Sequence, residues 1–373
     1  MTPAAIHSDK HITGITTMKK TALIMAGGRG ERFWPKSRKY LPKQFLPLTD
    51  DGKTMIQLTV ERILPLVALE DIFIATNREY KALVQEQLPG LPEENILCEP
   101  VGRNTAPCIG LGAVHMAKRY GDAVMMVFPS DHAIKYTSIF TSTLSDACTA
   151  AEQGDNLITL GITPNCPETG YGYIKFSPER TLGHAFAVER FVEKPDLETA
   201  KSYLASEEYL WNSGMFLWKV STILKNLQEY LPDLSDGLHR IGTAIGTPDE
   251  HAVLEREFPN LPSVSIDYGV LEKANNIYVF SGAFGWDDVG SWLAVQRLQP
   301  SDEQGNLVSG NVITVNTKNS ILQGEKKLIA AVGVENLVVI DTEDALLICQ
   351  KDHTGEIKQV LEHLRHNNRT EYL

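Results

Sequence analysis

A chain of 373 residues, 43% of them hydrophobic, suits about two domains and can bury a substantial core, which excludes a disordered protein. The formal net charge of −12 argues against partners such as a nucleic-acid polymer or an anionic membrane. No apolar run approaches the roughly 20 residues needed to span a bilayer, and the opening MTPAAIHSDKHITGITT lacks the apolar stretch of a signal peptide.

Residues 1–18 therefore read as an N-terminal extension, and the expected location is cytoplasmic. After Met18-Lys19-Lys20, residues 22–26 (ALIMA) form a buried strand that ends in a glycine loop. A helix is expected over 54–66, a strand over 72–75, a helix over 79–88 and a short strand over 96–98. A helix over 105–120, the apolar strand 123–128 (AVMMVF), a helix over 138–153 and a strand over 157–160 follow. Continuous apolar, β-branched strands alternating with helices imply an α/β fold with a mostly parallel central sheet covered on both faces. Ligands of such sheets bind at the carboxyl ends of the strands.

From about Gly170 the pattern changes to an α+β mixture. YGYIKF, FAVERFVEK and WNSGMFLWKV read as strands, with helices over 196–209, 223–230 and 249–257. PSDEQGN, at 300–306, is a polar break. Beyond it come the short strands NVITV, LIAAVGV, LVVIDT and ALLICQ, and a terminal helix over 356–366. The five scattered cysteines (Cys98, Cys108, Cys148, Cys166 and Cys349) show no zinc-ligand spacing, so reduced, mostly buried thiols are expected.

The most informative segment is AGGRGERFWPKSRKYLPKQF. Gly27, Gly28 and Gly30 let the backbone turn sharply and bring its N–H groups to an anion. Arg29, Arg32, Lys36, Arg38, Lys39 and Lys43 follow with Glu31 as the only acid, a concentration of cations that suits a polyphosphate in an acidic protein. A dinucleotide fingerprint would need glycine where Phe33 stands, and a Walker A loop would need a GK[ST] that is absent. A solvated basic face is the plain alternative.

This run resembles the GGxGxR…PK signature of the nucleotidyltransferases that act on sugar 1-phosphates. With WPxSR and PKQF it is similar to the mannose-1-phosphate guanylyltransferases. The resemblance implies that the glycine loop wraps the nucleotide and that Arg32 and Lys43, the latter expected on an exposed loop, contact its phosphates as catalytic residues. It implies a Rossmann-like nucleotidyltransferase domain at 19–299 and a small β-rich C-terminal domain with a terminal helix at 300–373. Relatives with a fused isomerase domain exist, and this chain is expected to lack one.

Asp131, in FPSDH, lies three residues past a buried strand and could be a plain helix cap or turn residue. The resemblance makes it a metal ligand, together with Asp288 of GWDDVGSW, with Asp287 the less favoured acid. The expected metal is Mg²⁺, with Mn²⁺ as a substitute. EPVGRNTAP adds Arg103 and Asn104 to the nucleotide site, although Asn104 could serve as a helix cap. Gly172, Glu193, Lys194 and Asn212, in TGYGYIKF, FVEKPD and WNSGMF, are assigned to the sugar phosphate, as is Asp267 of SIDYGVLEK. Singly, these residues could be ordinary surface and turn positions.

The reaction so implied joins GTP and mannose 1-phosphate to GDP-mannose and diphosphate, in an enzyme whose tail associates, as in a homodimer. A guanylyltransferase for a manno-heptose phosphate is the close alternative. A silent regulatory paralogue that binds nucleotide sugar is a second, and a dinucleotide-dependent oxidoreductase a third, weakened by Phe33.

Overall fold

The computed structural model describes residues 18–373; residues 1–17, most of the expected extension, lie outside the described residues. Eleven strands precede the break at residue 300: β1 (Lys20–Met25), β2 (Ile72–Asn77), β3 (Ile96–Glu99), β4 (Val124–Pro129), β5 (Ala133–Ile134), β6 (Leu157–Ile162), β7 (Tyr173–Leu182), β8 (Ala185–Val192), β9 (Tyr209–Lys219), β10 (Ile277–Gly282) and β11 (Trp286–Asp287). Nine of them form one sheet in the order β3-β2-β1-β4-β9-β6-β10-β8-β7, while β5 pairs with β11 apart from it.

In β1, Ala22 and Ile24 join one core and Leu23 the other. In β4, Val124, Met126 and Phe128 point to the first core, and Met125 and Val127 to the second. Such strands read as unbroken apolar runs because helices cover both faces. β3, β2, β1 and β4 are parallel, and antiparallel β9 then separates β4 from the parallel pair β6 and β10. The strands after Gly170 thus join the same sheet, with β6 lying between β9 and β10.

The expected helix 105–120 is present as Thr105–Tyr120. The helix expected over 196–209 stops at Ser206, because Tyr209 already begins β9 beside β7. Helix Pro232–Ala244 and strand β10 were not expected. The helix is polar and contains two glycines, yet it buries Leu234, Leu238 and Ile241 along one stripe. β10 offers only the short apolar run Ile277–Phe280 before Ser281 and Gly282, too brief to stand out in the sequence.

After the break come β12 (Leu307–Ser309), β13 (Val312–Val315), β14 (Ile321–Gln323), β15 (Ile329–Val332), β16 (Leu337–Asp341) and β17 (Leu346–Gln350). β12, β14 and β16 are parallel neighbours, β13 pairs parallel with β15, and β17 closes antiparallel on β16. Parallel strands stacked in two walls make a short solenoid. Helix Ile357–His366 leaves it and buries Ile357 and Leu361 in a core shared with Phe33, Trp34 and Trp292.

Of the cysteines, Cys108 and Cys148 are buried, Cys98 and Cys349 are half-buried, and Cys166 is exposed, so the expectation of mostly buried thiols is corrected. All five are free. No helix among the described residues is long and apolar enough to cross a membrane.

Candidate active site

The carboxyl ends of β1 and β4, and the first residues of the antiparallel β9 beside them, open on a cavity of about 510 Å³. Gly27, Gly28, Arg103, Asn104, Gly172, Glu193, Asn212, Asp267 and Asp288 are among its lining residues. A second cavity of about 420 Å³ adjoins it and shares His132 and Asp288. Gly30, Arg32, Lys43 and Asp131 line this second space. Every site residue expected from the sequence except Lys194 therefore lines one continuous cleft. Lys194 sits at the rim, 62% exposed, and its ammonium donates to the Glu193 carboxylate.

The glycine loop is set by short-range constraints. Gly30 has φ 61°, and a Cβ there would stand 2.2 Å from the Cβ of Lys43, so only glycine lets the loop close on that lysine. Gln44 Nε2 donates to the carbonyls of Ala26 (2.9 Å) and Gly28 (3.0 Å), which fixes the loop from inside.

Lys43 is not the exposed loop lysine that the sequence suggests: it is 5% exposed, in a short 3₁₀ turn with Phe45 buried behind it. Its ammonium donates to Asp131 Oδ2 (2.8 Å) and to the Asp288 carbonyl (2.7 Å). Burial pushes the Asp131 carboxyl up, but Lys43, His132 and hydrogen bonds outweigh it and hold the group below its ordinary value.

Asp288 is aimed by its neighbours. Asp287 accepts from the Val289 N–H (2.8 Å) and pairs with Arg297 (2.7 Å), a structural role that agrees with its lesser place in the sequence reading. Val289 is held at φ 50°, a costly conformation for a β-branched residue, with its side chain fully buried. Asp288 Oδ1 then accepts from the Tyr171 hydroxyl (2.7 Å). Arg32 is exposed and donates to the Gly290 carbonyl at 3.3 Å. Asp131 and Asp288 thus face one cavity, with the Lys43 ammonium held on the Asp131 carboxylate and the Asp288 carbonyl, and the two carboxylates are a donor set that fits a hard divalent ion. Among the described residues no group of three or more His, Cys, Asp or Glu side chains gathers as a metal site, so any ion here would take its remaining ligands from substrate and water.

At the other end Asn212 Nδ2 donates to Asp267 Oδ1 (2.8 Å), and the Asn212 N–H to the Gly172 carbonyl (2.8 Å). A Cβ on Gly172 would lie 2.6 Å from Glu193 Oε2, so glycine admits that carboxylate to the cleft. Burial, reinforced by the Glu193 charge, lifts the Asp267 carboxyl to about 6. Asn104 both caps helix Thr105–Tyr120, accepting from the Thr105 N–H at 2.8 Å, and lines the cleft, so its two readings coexist.

Glu99, Tyr171 and His132 are the residues that sequence reasoning missed, although each lies inside or beside a quoted motif. Glu99 ends β3 at 6% exposure with Oε1 unpartnered, and burial lifts its carboxyl to about 7. Nearby, the Arg103 Nε is likewise buried and unpartnered. His132 Nδ1 accepts from Trp286 Nε1 (3.1 Å), and burial lowers its imidazole to about 4, which keeps the ring neutral at physiological pH. Arg38 faces away from the cleft, 6% exposed, and pairs with Asp344 (2.6 Å) while donating to the Tyr372 carbonyl (2.5 Å).

The "Nucleotidyl transferase" family model matches residues 21–305, and the "MannoseP isomerase/GMP-like beta-helix domain" model matches residues 310–364. The xanthan biosynthesis protein XanB of Xanthomonas campestris pv. campestris (strain B100) is 43% identical over 352 residues, 94% of this chain and 74% of that protein. The mannose-1-phosphate guanylyltransferase of Klebsiella pneumoniae is 41% identical over 355 residues, 94% of this chain and 75% of that one. Among solved structures, one described as a mannose-1-phosphate geranyltransferase from Thermus thermophilus superposes with a TM-score of 0.84. It shares 36% identity and covers 93% of this chain and 100% of its own.

Proposed function

The chain belongs to the nucleotidyl transferase family, and from that premise we propose that it joins GTP and mannose 1-phosphate to GDP-mannose and diphosphate. The observation that carries this reading is the division of the cleft: a cation-rich cavity meets a carboxyl- and amide-lined one at Asp288. Triphosphate and sugar have opposite needs, and the two cavities meet them separately.

A phosphate oxygen of mannose 1-phosphate attacks the α-phosphorus of GTP in line. The new P–O bond forms as the bond from the α-phosphorus to the bridging oxygen of the β-phosphate breaks, and diphosphate leaves with that electron pair. A phosphate monoester with its second pKa at about 6 is already an anion at neutral pH, so no protein base is needed. Catalysis is then positioning and charge stabilisation. Lys43 and Arg32 serve the nucleotide phosphates, and Gly27, Gly28 and Gly30 admit them. Asp131 and Asp288 would hold Mg²⁺, which when bound supplies charge neutralisation between the phosphates. For that, Lys43 would exchange its contact with Asp131 for one with phosphate. Asp267, Asn212, Glu193 and Gly172 receive the sugar hydroxyls, and Lys194 at the rim offers charge to the sugar phosphate.

Glu99 gives the base preference. Guanine presents N1–H and N2–H₂ as adjacent donors, and a carboxylate accepts both. Adenine, which carries no such pair, would leave a buried acceptor unpartnered.

The division of the chain at about residue 300, a cytoplasmic location and a homodimer belong to the same proposal. Exposed Ile313, Val332 and Ile348 on the solenoid support an association surface. The decisive experiment is steady-state kinetics with Mg²⁺, four nucleoside triphosphates and several sugar 1-phosphates, read by diphosphate release. GTP with mannose 1-phosphate should give the highest kcat/KM, and UTP or dTTP as best donor would overturn the assignment.

A further inference from the structure

The solenoid does more than cap the sheet, because its last helix reaches the phosphate cavity. Helix Ile357–His366 packs Ile357 and Leu361 against the core that holds Phe33 and Trp34 of the glycine loop. Arg365 pairs with Glu31 (2.5 Å), and the Tyr372 carbonyl accepts from Trp34 Nε1 (2.8 Å). These contacts hold the helix with its first turn toward the cleft. The second residue of that turn, Lys358, is exposed and lines the 420 Å³ cavity together with Arg29, Arg32, Lys43, Asp131 and Asp288.

The charges of this cavity are unevenly committed. Lys43 is paired with Asp131, and Glu31 with Arg365. Among the described residues, Arg29, Arg32 and Lys358 have no carboxylate partner within ion-pair distance. Three free cations around one cavity, beside the two acids that face the reacting phosphates, describe a receptor for a multiply charged anion. Two of them come from the glycine loop. The third comes from a domain more than 300 positions later in the chain.

We propose that Lys358 is a catalytic residue supplied by the solenoid, binding the β- and γ-phosphates of the nucleotide and then the departing diphosphate. The inference rests on the reaction proposed above. It explains why the glycine loop is tied to the C-terminal segment at Glu31 and Trp34: the tie sets how far Lys358 stands from the phosphates.

The test compares Lys358→Ala and Lys358→Arg with the parent in both directions of the reaction. Lys358→Ala should raise KM for GTP, and KM for diphosphate in the reverse direction, on the order of tenfold, as for a lost charge-assisted hydrogen bond. KM for mannose 1-phosphate should stay within about twofold, since that substrate lies in the other cavity. Lys358→Arg should keep most of the parent's behaviour. Unchanged KM values for GTP and diphosphate, or an equal rise for mannose 1-phosphate, would overturn the proposal. A separate titration of Mg²⁺-diphosphate into parent and Lys358→Ala protein, followed by calorimetry, needs no turnover. Weaker binding in the variant supports the role, and equal binding, or none to the parent, refutes it. Failure to make GDP-mannose would refute the substrate assignment alone, and the titration would still decide Lys358.

Discussion

The two ends of the cleft treat their carboxyl groups in opposite ways. At the phosphate end Asp131 is half-exposed, faces the buried Lys43 ammonium, and is held below its ordinary value although burial works against that. At the other end Glu99 and Asp267 have, among the described residues, no cation within ion-pair distance, and burial lifts them to about 7 and about 6. On the proposed assignment, the acid that would hold a cation is kept ionised by one. The acids that would accept hydrogen bonds from neutral N–H and O–H groups wait near their titration point, so that the ligand's donors would complete the ionisation.

The strongest way to break this comparison is to remove the cation. Lys43→Met should lower kcat on the order of 10²- to 10³-fold, as for loss of a preorganised charge-stabilising donor. It should also cost about 1 kcal/mol of stability by leaving Asp131 unpaired, discounted because that carboxylate is partly exposed. Adding Asp131→Asn should return the melting temperature but not the activity. Thermal melts and kcat on the single and double variants check this. Recovery of activity in the double variant would show that Lys43 serves only to neutralise Asp131.

Glu99 sharpens the comparison at the base. Inosine triphosphate lacks the N2 amino group, so the parent should prefer GTP over it. Glu99→Gln leaves only one acceptor atom in place of a carboxylate. It should lower kcat/KM for GTP on the order of tenfold or more and shrink the preference over inosine triphosphate toward unity. In the parent, kcat/KM for GTP at saturating mannose 1-phosphate should rise with pH through about 7 as Glu99 ionises. The variant should lose that rise. A Glu99→Gln profile with the parent's inflection would assign the titration to another group.

The same contrast governs what could be read from the sequence. The phosphate end was legible because close backbone approach and concentrated charge leave a short local pattern: three glycines, Arg32 and Lys43 lie within 17 residues. Even so, the burial of Lys43 was not visible, because it depends on Asp288 folding over it from 245 positions away. Glu99 and Tyr171 carry no local pattern, and their roles follow only from what β3 and β7 place beside them. The first half of the sheet was legible from its apolar strands and the helices between them. In the second half β7, β8 and β9 could be seen as strands, but their order in the sheet could not, because partners such as β6, parallel to β10, come from far along the chain. The pairing of the solenoid strands is likewise long-range. Its strands β13, β15, β16 and β17 could be seen, yet not that β13 runs parallel to β15, or β16 to the unforeseen β14.

Asp267 offers the smallest effect and the sharpest sign. Its folded-state value of about 6 lies above the ordinary carboxyl value of 3.8, so the folded protein keeps this proton to higher pH than the unfolded chain does. The stability linked to that proton is fully present below about pH 4 and is lost as pH rises through about 6. At pH 7.5 the ionised group, buried beside the Glu193 charge with the Asn212 amide as a neutral partner, destabilises the ligand-free fold. Asp267→Asn should therefore stabilise the fold at pH 7.5 by about 1–2 kcal/mol after allowing for partial solvent contact, seen as a higher melting temperature, and this gain should vanish near pH 4. The same variant exchanges an acceptor for a donor toward the sugar, so KM for mannose 1-phosphate should rise on the order of tenfold while KM for GTP holds. Melts of parent and variant from pH 4 to 8, taken as differences, remove every titration the two proteins share. A gap that does not change with pH would mean that Asp267 is not the group titrating. A gap that behaves as expected with an unchanged KM for the sugar phosphate would leave Asp267 a buried acid with no part in binding, and would confine the contrast between the two ends to Glu99.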